Sequence, residues 1–235
     1  MKKIVISTAI ILSSISLNCF ADFYVGAQSG YAWIQTPNET LDNYVSPQSG
    51  YAITSQSSSI GNLAGGIFAG YKQPVGKHLK LGVEIGYNYN GSSDYYTYTM
   101  NILGQTNMSI LSVSSEDIYT LLTATVAFNQ KWDGFVKAGT ARITQETNTS
   151  KIFSFNPYGI PTNTAPTSST RIQTEPMFEI GAGYNVLPQL NLSLRYIHIN
   201  GKNYSNFSQF NGIIDGKGLD VAAVDAVEFA AAYHF

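Results

Sequence analysis

From His78 to Asn90 the chain changes character at every residue: Leu79, Leu81, Val83, Ile85, Tyr87 and Tyr89 alternate with His78, Lys80, Gly82, Glu84, Gly86, Asn88 and Asn90. A period of two marks a β-strand whose two faces meet different surroundings. The pattern recurs along the chain. Phe23, Val25, Ala27, Tyr31 and Trp33 share one face of a first strand, and Leu63, Ile67, Ala69 and Tyr71 one face of a second. Ile118, Thr120, Leu122, Ala124, Val126 and Phe128 follow, then Phe178, Ile180, Ala182, Tyr184 and Val186, then Leu192, Leu194 and Tyr196. Between these, Phe135 to Ile143 has two mixed faces and is placed with Lys137 and Gly139 inward and Val136 and Ala138 outward. The chain closes on Val227, Phe229, Ala231, Tyr233 and Phe235, opposed by Ala226, Glu228, Ala230, Ala232 and His234. Eight strands of about 9 to 13 residues result, each long enough to cross a bilayer's hydrocarbon at a tilt of roughly 45°.

The connections favour a membrane barrel over a soluble sandwich, which periodicity alone does not separate. Three links are short and rich in turn residues: Gln73 to Lys77, Asn129 to Gly134, and Leu187 to Gln189. Four are long: Gln35 to Ile60, Gly91 to Glu116, Thr144 to Glu175, and Asn200 to Val224. Short and long alternate strictly. An up-and-down barrel with both termini in the periplasm requires this alternation, with short turns inside and long loops outside, whereas a soluble Greek key does not. The predicted fold is therefore all-β, an eight-stranded antiparallel up-and-down transmembrane β-barrel with four long extracellular loops.

The N-terminus agrees with export. Lys2 and Lys3 precede an apolar run from Ile4 to Leu17, and Cys19-Phe20-Ala21 supplies a cleavage site, the layout of a secretory signal. Residues 1–21 are read as the signal peptide and 22–235 as the barrel domain, with Asp22 the first mature residue. Lipidation at Cys19 is disfavoured because Asn18 precedes it, where such sites carry a small residue. No stretch reaches the 18 apolar residues of a membrane-spanning helix. The mature chain has no cysteine, hence neither disulfide nor thiol chemistry. The 13 basic residues less Lys2 and Lys3, set against 15 acidic ones, leave a net charge of −4, which argues against nucleic acid as a partner. With 16 Tyr and 12 Phe but only 12% charged residues, the chain has the aromatic surplus of strands that carry membrane girdles.

An eight-stranded barrel leaves just enough interior for side chains to fill it. Lys72, Lys80, Lys137 and Arg195 are expected inside, against Glu84, Asp117, Glu179 and Glu228. Charges removed from water are costly unless paired, so the balance of four against four suits a structural network; a catalytic pair or proton relay formed by Glu84 and Glu179 is the sharper alternative. Gly66, Gly70, Gly82, Gly86, Gly139, Gly181 and Gly183 fall on the same faces, where they make room for long side chains. An outward aromatic belt is expected from Trp33, Tyr71, Tyr87, Tyr89, Phe128, Tyr184 and Tyr196.

Gly-Ala-Gly-Tyr at 181 to 184, Asn-Leu-Ser-Leu-Arg-Tyr at 191 to 196 and the Phe-terminated last strand together resemble the small OmpA/OmpX-like and opacity-type surface-antigen barrels. The resemblance implies a monomer in the outer membrane of a Gram-negative bacterium with variable exposed loops. It also implies that Phe229, Tyr233 and Phe235 form the signal read by the barrel-assembly machinery. Family members include adhesins, invasins and anchors, so the fold does not fix the role; an anchor role is set aside because no peptidoglycan-binding segment follows Phe235. Arg195 to Asn200 also resembles a strand end of lipid A deacylases, in which a lipid-facing His precedes a Ser nucleophile by two residues. His198 matches, but Asn200 lacks the attacking hydroxyl.

The leading expectation is a non-enzymatic barrel that presents polar, Tyr-rich loops, notably Ser55 to Ser59, Tyr95 to Tyr98, Phe153 to Pro166 and Asn203 to Phe210, as a surface antigen or adhesin. A lipid A modifying hydrolase and a soluble secreted or periplasmic β-sandwich are the alternatives. No cofactor or metal is expected, since the three His are scattered and no carboxylates are suitably spaced. The expected partners are outer-membrane lipid and lipopolysaccharide, whose phosphates Arg142, Lys151, Arg171 and Lys202 can meet, together with a host or surface ligand at the loops.

Overall fold

The computed structural model describes residues 22–35, 44–46, 51–56, 61–101, 106–154, 164–201 and 221–235. The signal peptide, Cys19 and the segments 155–163 and 202–220 lie outside them. The described residues form ten strands: β1 (Asp22–Gln35), β2 (Tyr44–Ser46), β3 (Tyr51–Gln56), β4 (Asn62–Pro74), β5 (Leu79–Asn101), β6 (Thr106–Ala127), β7 (Trp132–Ser154), β8 (Thr164–Leu187), β9 (Leu190–Ile199) and β10 (Ala223–His234). Every sequential pair from β4 to β10 is antiparallel; β1 joins β10 on one side and β4 on the other, and β5 pairs with β6. Eight strands thus close into a barrel with no free edge. The short β2–β3 hairpin lies outside the ring, paired to the far end of β5.

The register fixes the barrel's dimensions. Partner by partner, Trp33 leads to Asp225, His198, Phe178, Ala138, Leu122, Val83, Tyr71 and back onto β1 at Phe23, ten positions from the start. A shear of ten over eight strands corresponds to a strand tilt of roughly 40° and a radius of about 8 Å. Those ten positions span about 25 Å of height.

Predicted faces and observed faces agree. Leu63, Ile67, Ile118, Leu122, Phe128, Phe178, Ile180 and Phe229 project outward and are exposed, whereas Gln28, Glu84, Asp117, Lys137, Glu179, Arg195 and Glu228 point into the barrel and are buried. The Phe135–Ile143 strand lies with Lys137 inward and Val136 outward, as placed from the sequence.

Strand length departs from expectation. β5, β6, β7 and β8 have 23, 22, 23 and 24 residues, not 9 to 13. Much of what reads as loop in Gly91–Glu116 and Thr144–Glu175 is paired hairpin: Asp94 faces Ser112, Met100 faces Thr106, and Thr147 faces Ser169. These segments are rich in Thr, Ser and Tyr, whose β-branched or aromatic side chains favour extended backbone, but they have no apolar face to announce a strand. The barrel-to-hairpin transition on β5 is a bulge between Tyr89 and Ser92. Gly91 takes the left-handed conformation there (φ +80°), which a side chain would oppose.

The interior also departs from a uniformly polar lining. Toward the hairpin end, Ile34, Ile143, Met177, Ile197, Ile199 and Val224 form a fully buried apolar layer. Val221 and Ala222, just before β10, are buried over it. Gln145 on β7 holds Ala222 from both sides, Nε2 donating to its carbonyl at 3.0 Å and Oε1 accepting from its amide at 2.9 Å.

Candidate functional site

Below that apolar layer, four charges from four strands meet. The Lys137 ammonium (β7) lies 2.8 and 2.9 Å from the two carboxylate oxygens of Glu84 (β5) and 2.7 Å from Glu179 Oε1 (β8). Arg195 (β9) completes the group, 3.6 Å from Glu84 and 3.4 Å from Glu179. Tyr24 and Tyr119 donate their hydroxyls to Glu84 at 2.9 and 3.3 Å. Arg195 donates to Gln28 Oε1 at 2.7 Å and stacks its guanidinium 4.1 Å above the Phe68 ring. The cluster is sealed from solvent: Lys137 is 4% exposed, Glu84 1% and Glu179 2%. Glu84 is ringed by donors, while the contact from Lys137 to Glu179 is ionic and lies outside hydrogen-bond geometry.

The other four interior charges stand apart from this group. Asp117 is held by amides, accepting from Asn88 at 3.3 Å and Asn90 at 2.8 Å, and Asn88 in turn accepts from Gln28 at 2.6 Å. Lys72 sits 4.8 Å over the Tyr24 ring. Lys80 lies at the short-turn rim, 2.9 Å from Asp22, whose other oxygen is 2.6 Å from His234. Glu228 is directly opposite Arg195 in the β9–β10 register and wholly buried, yet neither of its oxygens has a hydrogen-bond partner among the described residues. The guanidinium turns away from it toward Gln28, Glu84 and Glu179.

Tyr24, Tyr119, Gln28, Asn88, Asn90, Phe68 and Phe135 were not singled out from the sequence. Their signal lay in the polar face of each strand, where they occupy the same alternate positions as the charges. They also explain the inward glycines, which mostly make room for rings and backbone and not for charged chains. A Cβ on Gly70 would collide with the Tyr24 ring, on Gly86 with Tyr119, and on Gly181 with Phe135. At Gly66 and Gly183 it would meet polar side chains, Asn88 at the first and Asp133 and Asn191 at the second, and at Gly82 and Gly139 the neighbouring backbone. An aromatic ring laid over a cross-strand glycine recovers packing that the glycine itself lacks.

Comparison with known proteins decides the family. The sequence from residue 8 to 235 matches the model of the outer membrane protein beta-barrel domain. The chain belongs to that family. No curated protein matches the sequence. Among solved structures the chain is similar to Ail, the attachment invasion locus protein of Yersinia pestis, at 11% identity and a TM-score of 0.43, covering 92% of this chain and 99% of that one. It is likewise similar to Neisserial surface protein A, at 15% identity and a TM-score of 0.40, covering 91% and 97%.

For an outer-membrane barrel the exposed apolar wall is the lipid-facing one, and the 25 Å from Trp33 to Phe23 matches the height of the apolar band. Near its periplasmic margin stand Tyr71, Phe128 and Tyr184, joined by Phe23, 5.0 Å from the Tyr71 ring, and Trp132, 4.9 Å from that of Tyr184. Trp33, Tyr87 and Tyr89 stand toward the extracellular margin with Tyr31, whose ring is 5.2 Å from Trp33. Tyr196 lies lower, with its hydroxyl donating to Asp225 at 2.6 Å. His198 faces outward beside it, with Nδ1 2.7 Å from Asp225 Oδ1 and Nε2 2.8 Å from Asn200 Oδ1. At the end of β10 the Phe235 amide donates to the Phe23 carbonyl at 2.9 Å, and its ring packs 5.2 Å from Tyr233. Phe229, Tyr233 and Phe235 all project into the lipid. Arg142 is exposed on the outer wall; the side chains of Lys151 and Lys202 lie outside the described residues, as do those of Ser55 to Ser59, Tyr95 to Tyr98, Phe153 to Pro166 and Asn203 to Phe210.

Proposed function

We propose that this protein is a non-enzymatic barrel that holds a rigid recognition surface above the outer membrane of a Gram-negative cell, for attachment to a host or other surface. The observation that carries the reading is the continuation of β5 to β8 past the barrel rim. Ladder hydrogen bonding continues from Ser92 opposite Ser114 to Met100 opposite Thr106, and from Gln145 opposite Arg171 to Lys151 opposite Thr164. The β2–β3 hairpin widens that sheet on the β5 side. A loop that merely shields the barrel mouth has no need of a paired sheet, whereas a recognition surface gains affinity when its backbone is ordered before binding. Below it, the charge cluster and the apolar layer fill the barrel and serve to fix its shape.

The hydrolase reading loses support at His198. The nitrogen that would accept a proton from a nucleophile faces Asn200 Oδ1, and an amide cannot attack an ester. The test is a pair of truncations, one shortening the β5–β6 hairpin between residues 93 and 113 and the other the β7–β8 hairpin between 147 and 169. Cells displaying the intact barrel should bind extracellular-matrix-coated surfaces, and cells displaying either truncation at equal surface density should not. Equal adhesion by all three would refute the proposal. Unchanged lipid A mass on overexpression is the matching expectation for the enzyme alternative.

A further inference from the structure

We infer that the outer wall carries a binding groove for one acyl chain of an outer-leaflet glycolipid, running from β9 down to β5 and ending at His198. A groove of about 580 Å³ crosses five strands there, lined on the outside by Leu122, Ala124, Val136, Ala138, Phe178 and Ile180, with Tyr196 and His198 at one end. Its geometry follows from the register. Two successive outward rows form its walls, one from His198 through Phe178, Ala138 and Leu122, the other from Tyr196 through Ile180, Val136 and Ala124. Alanines at 124 and 138, among Leu122, Val136, Phe178 and Ile180, keep it open. Gly82, Thr123, Lys137 and Glu179 occupy the row between, with the three side chains turned into the barrel, so the floor is backbone.

Four strand intervals make the groove about 19 Å long, the reach of a long acyl chain. Because the strands tilt, it descends about 12 Å from His198 toward the periplasmic side. Polarity is confined to the upper end. There Asp225, Asn200, His198 and Tyr196 form one hydrogen-bonded group at the end of a groove whose other outward lining residues are apolar. Asp225 Oδ1 and Asn200 Oδ1 both face His198, Asn200 also carries an amide donor, and Asp225 would repel a phosphate at that depth. A hydroxyl or an amide near the head of an acyl chain can both donate to a carboxylate and accept from an amide, whereas the ester carbonyl of a phospholipid can only accept. Four residues up β7 from Ala138, Arg142 is exposed on the outer wall between the buried Ala141 and Ile143, placing a cation at the rim where the glycolipid's phosphate would lie. Phosphate above, hydroxyl or amide at His198 and methylenes below is the order of groups in lipid A, not in a diacyl phospholipid.

The experiment is native mass spectrometry of the detergent-solubilised barrel titrated with purified lipid A and, separately, with phosphatidylethanolamine. The wild-type protein should hold one lipid A through a detergent wash that strips phosphatidylethanolamine. The double substitution Ala124→Leu with Ala138→Leu should weaken lipid A retention at least about tenfold, and Arg142→Gln should weaken it less. Ala27→Leu, an equal enlargement on the β1 wall outside the groove, should leave retention unchanged. Leucine is at home on a lipid-facing wall, and heat-modifiable migration verifies that each variant is folded. Retention by the groove-filled variant equal to wild type would overturn the inference, and so would equal retention of phosphatidylethanolamine.

Discussion

Glu84 and Glu228 are both sealed inside the barrel, 1% and 0% exposed, yet conversion of each to glutamine should have opposite consequences. Glu84 receives both contacts from Lys137, at 2.8 and 2.9 Å, the Tyr24 hydroxyl at 2.9 Å and the Tyr119 hydroxyl at 3.3 Å. Glu84→Gln keeps the shape but removes the charge, and leaves Lys137, among the described residues, with Glu179 as its one ion-pair partner, a contact without hydrogen-bond geometry. Breaking a buried pair from one side costs about 3–5 kcal/mol; the residual Glu179 contact and the amide's own hydrogen bonds put the expected loss near the lower limit, about 3 kcal/mol. Glu228→Gln removes a carboxylate that has no hydrogen bond to lose among the described residues, so a change between zero and about 1 kcal/mol of stabilisation is expected, because the desolvation of a buried charge disappears. Reversible urea unfolding in lipid vesicles at pH 8, read by tryptophan fluorescence and by the heat-modifiable gel shift, measures both. Equal destabilisation by the two substitutions would refute the reasoning, because it would mean that burial alone, without the partners, sets the energy of an interior carboxylate.

Three further outcomes are expected. Gly70→Ala places a methyl group in the Tyr24 ring and should cost about 1–3 kcal/mol in the same unfolding assay, while Gly76→Ala, where a Cβ meets nothing within 4 Å, should be neutral. Gln145→Leu strands the Ala222 amide and carbonyl and should destabilise by about 1–3 kcal/mol, with hydrogen exchange increased at residues 221–224 and unchanged at the periplasmic turns. Deletion of Phe235, which removes a backbone bond to Phe23 and a ring packed on Tyr233, should lower the yield of heat-modifiable barrel in the outer membrane while leaving export intact; normal insertion without it would contradict the proposed assembly role.

What the sequence revealed of the fold is what alternation encodes. Leu79 to Tyr89 and Val227 to Phe235 display their faces because lipid lies on one side and polar groups on the other, and the alternating link lengths then fix the ends. Alternation fails where both faces meet similar surroundings. On β9, Tyr196, Ile197, His198 and Ile199 gave no sign that Ile197 and Ile199 belong to an interior apolar layer, because an inward Ile and an outward Tyr are both large and apolar. The hairpin arms failed for the opposite reason: above the membrane neither face is consistently apolar, and a Thr–Ser–Tyr sequence reads the same whether paired or not. In the interior, charge type and inward facing were legible, but partner choice was not. Arg195 and Glu228 are neighbours by register, and only side-chain geometry shows the guanidinium turned to Glu84, Glu179 and Gln28.

The orientation of the barrel in its membrane supports everything above it, from the recognition hairpins to the glycolipid groove. With the signal peptide removed the chain has no cysteine, so single cysteines can report it. Gly76→Cys marks the short turn between β4 and β5, and Ser168→Cys the exposed arm of β8. A membrane-impermeant maleimide applied to intact cells should label Ser168→Cys fully and Gly76→Cys only after the outer membrane is permeabilised. Labelling of Gly76→Cys on intact cells with protection of Ser168→Cys would contradict the account.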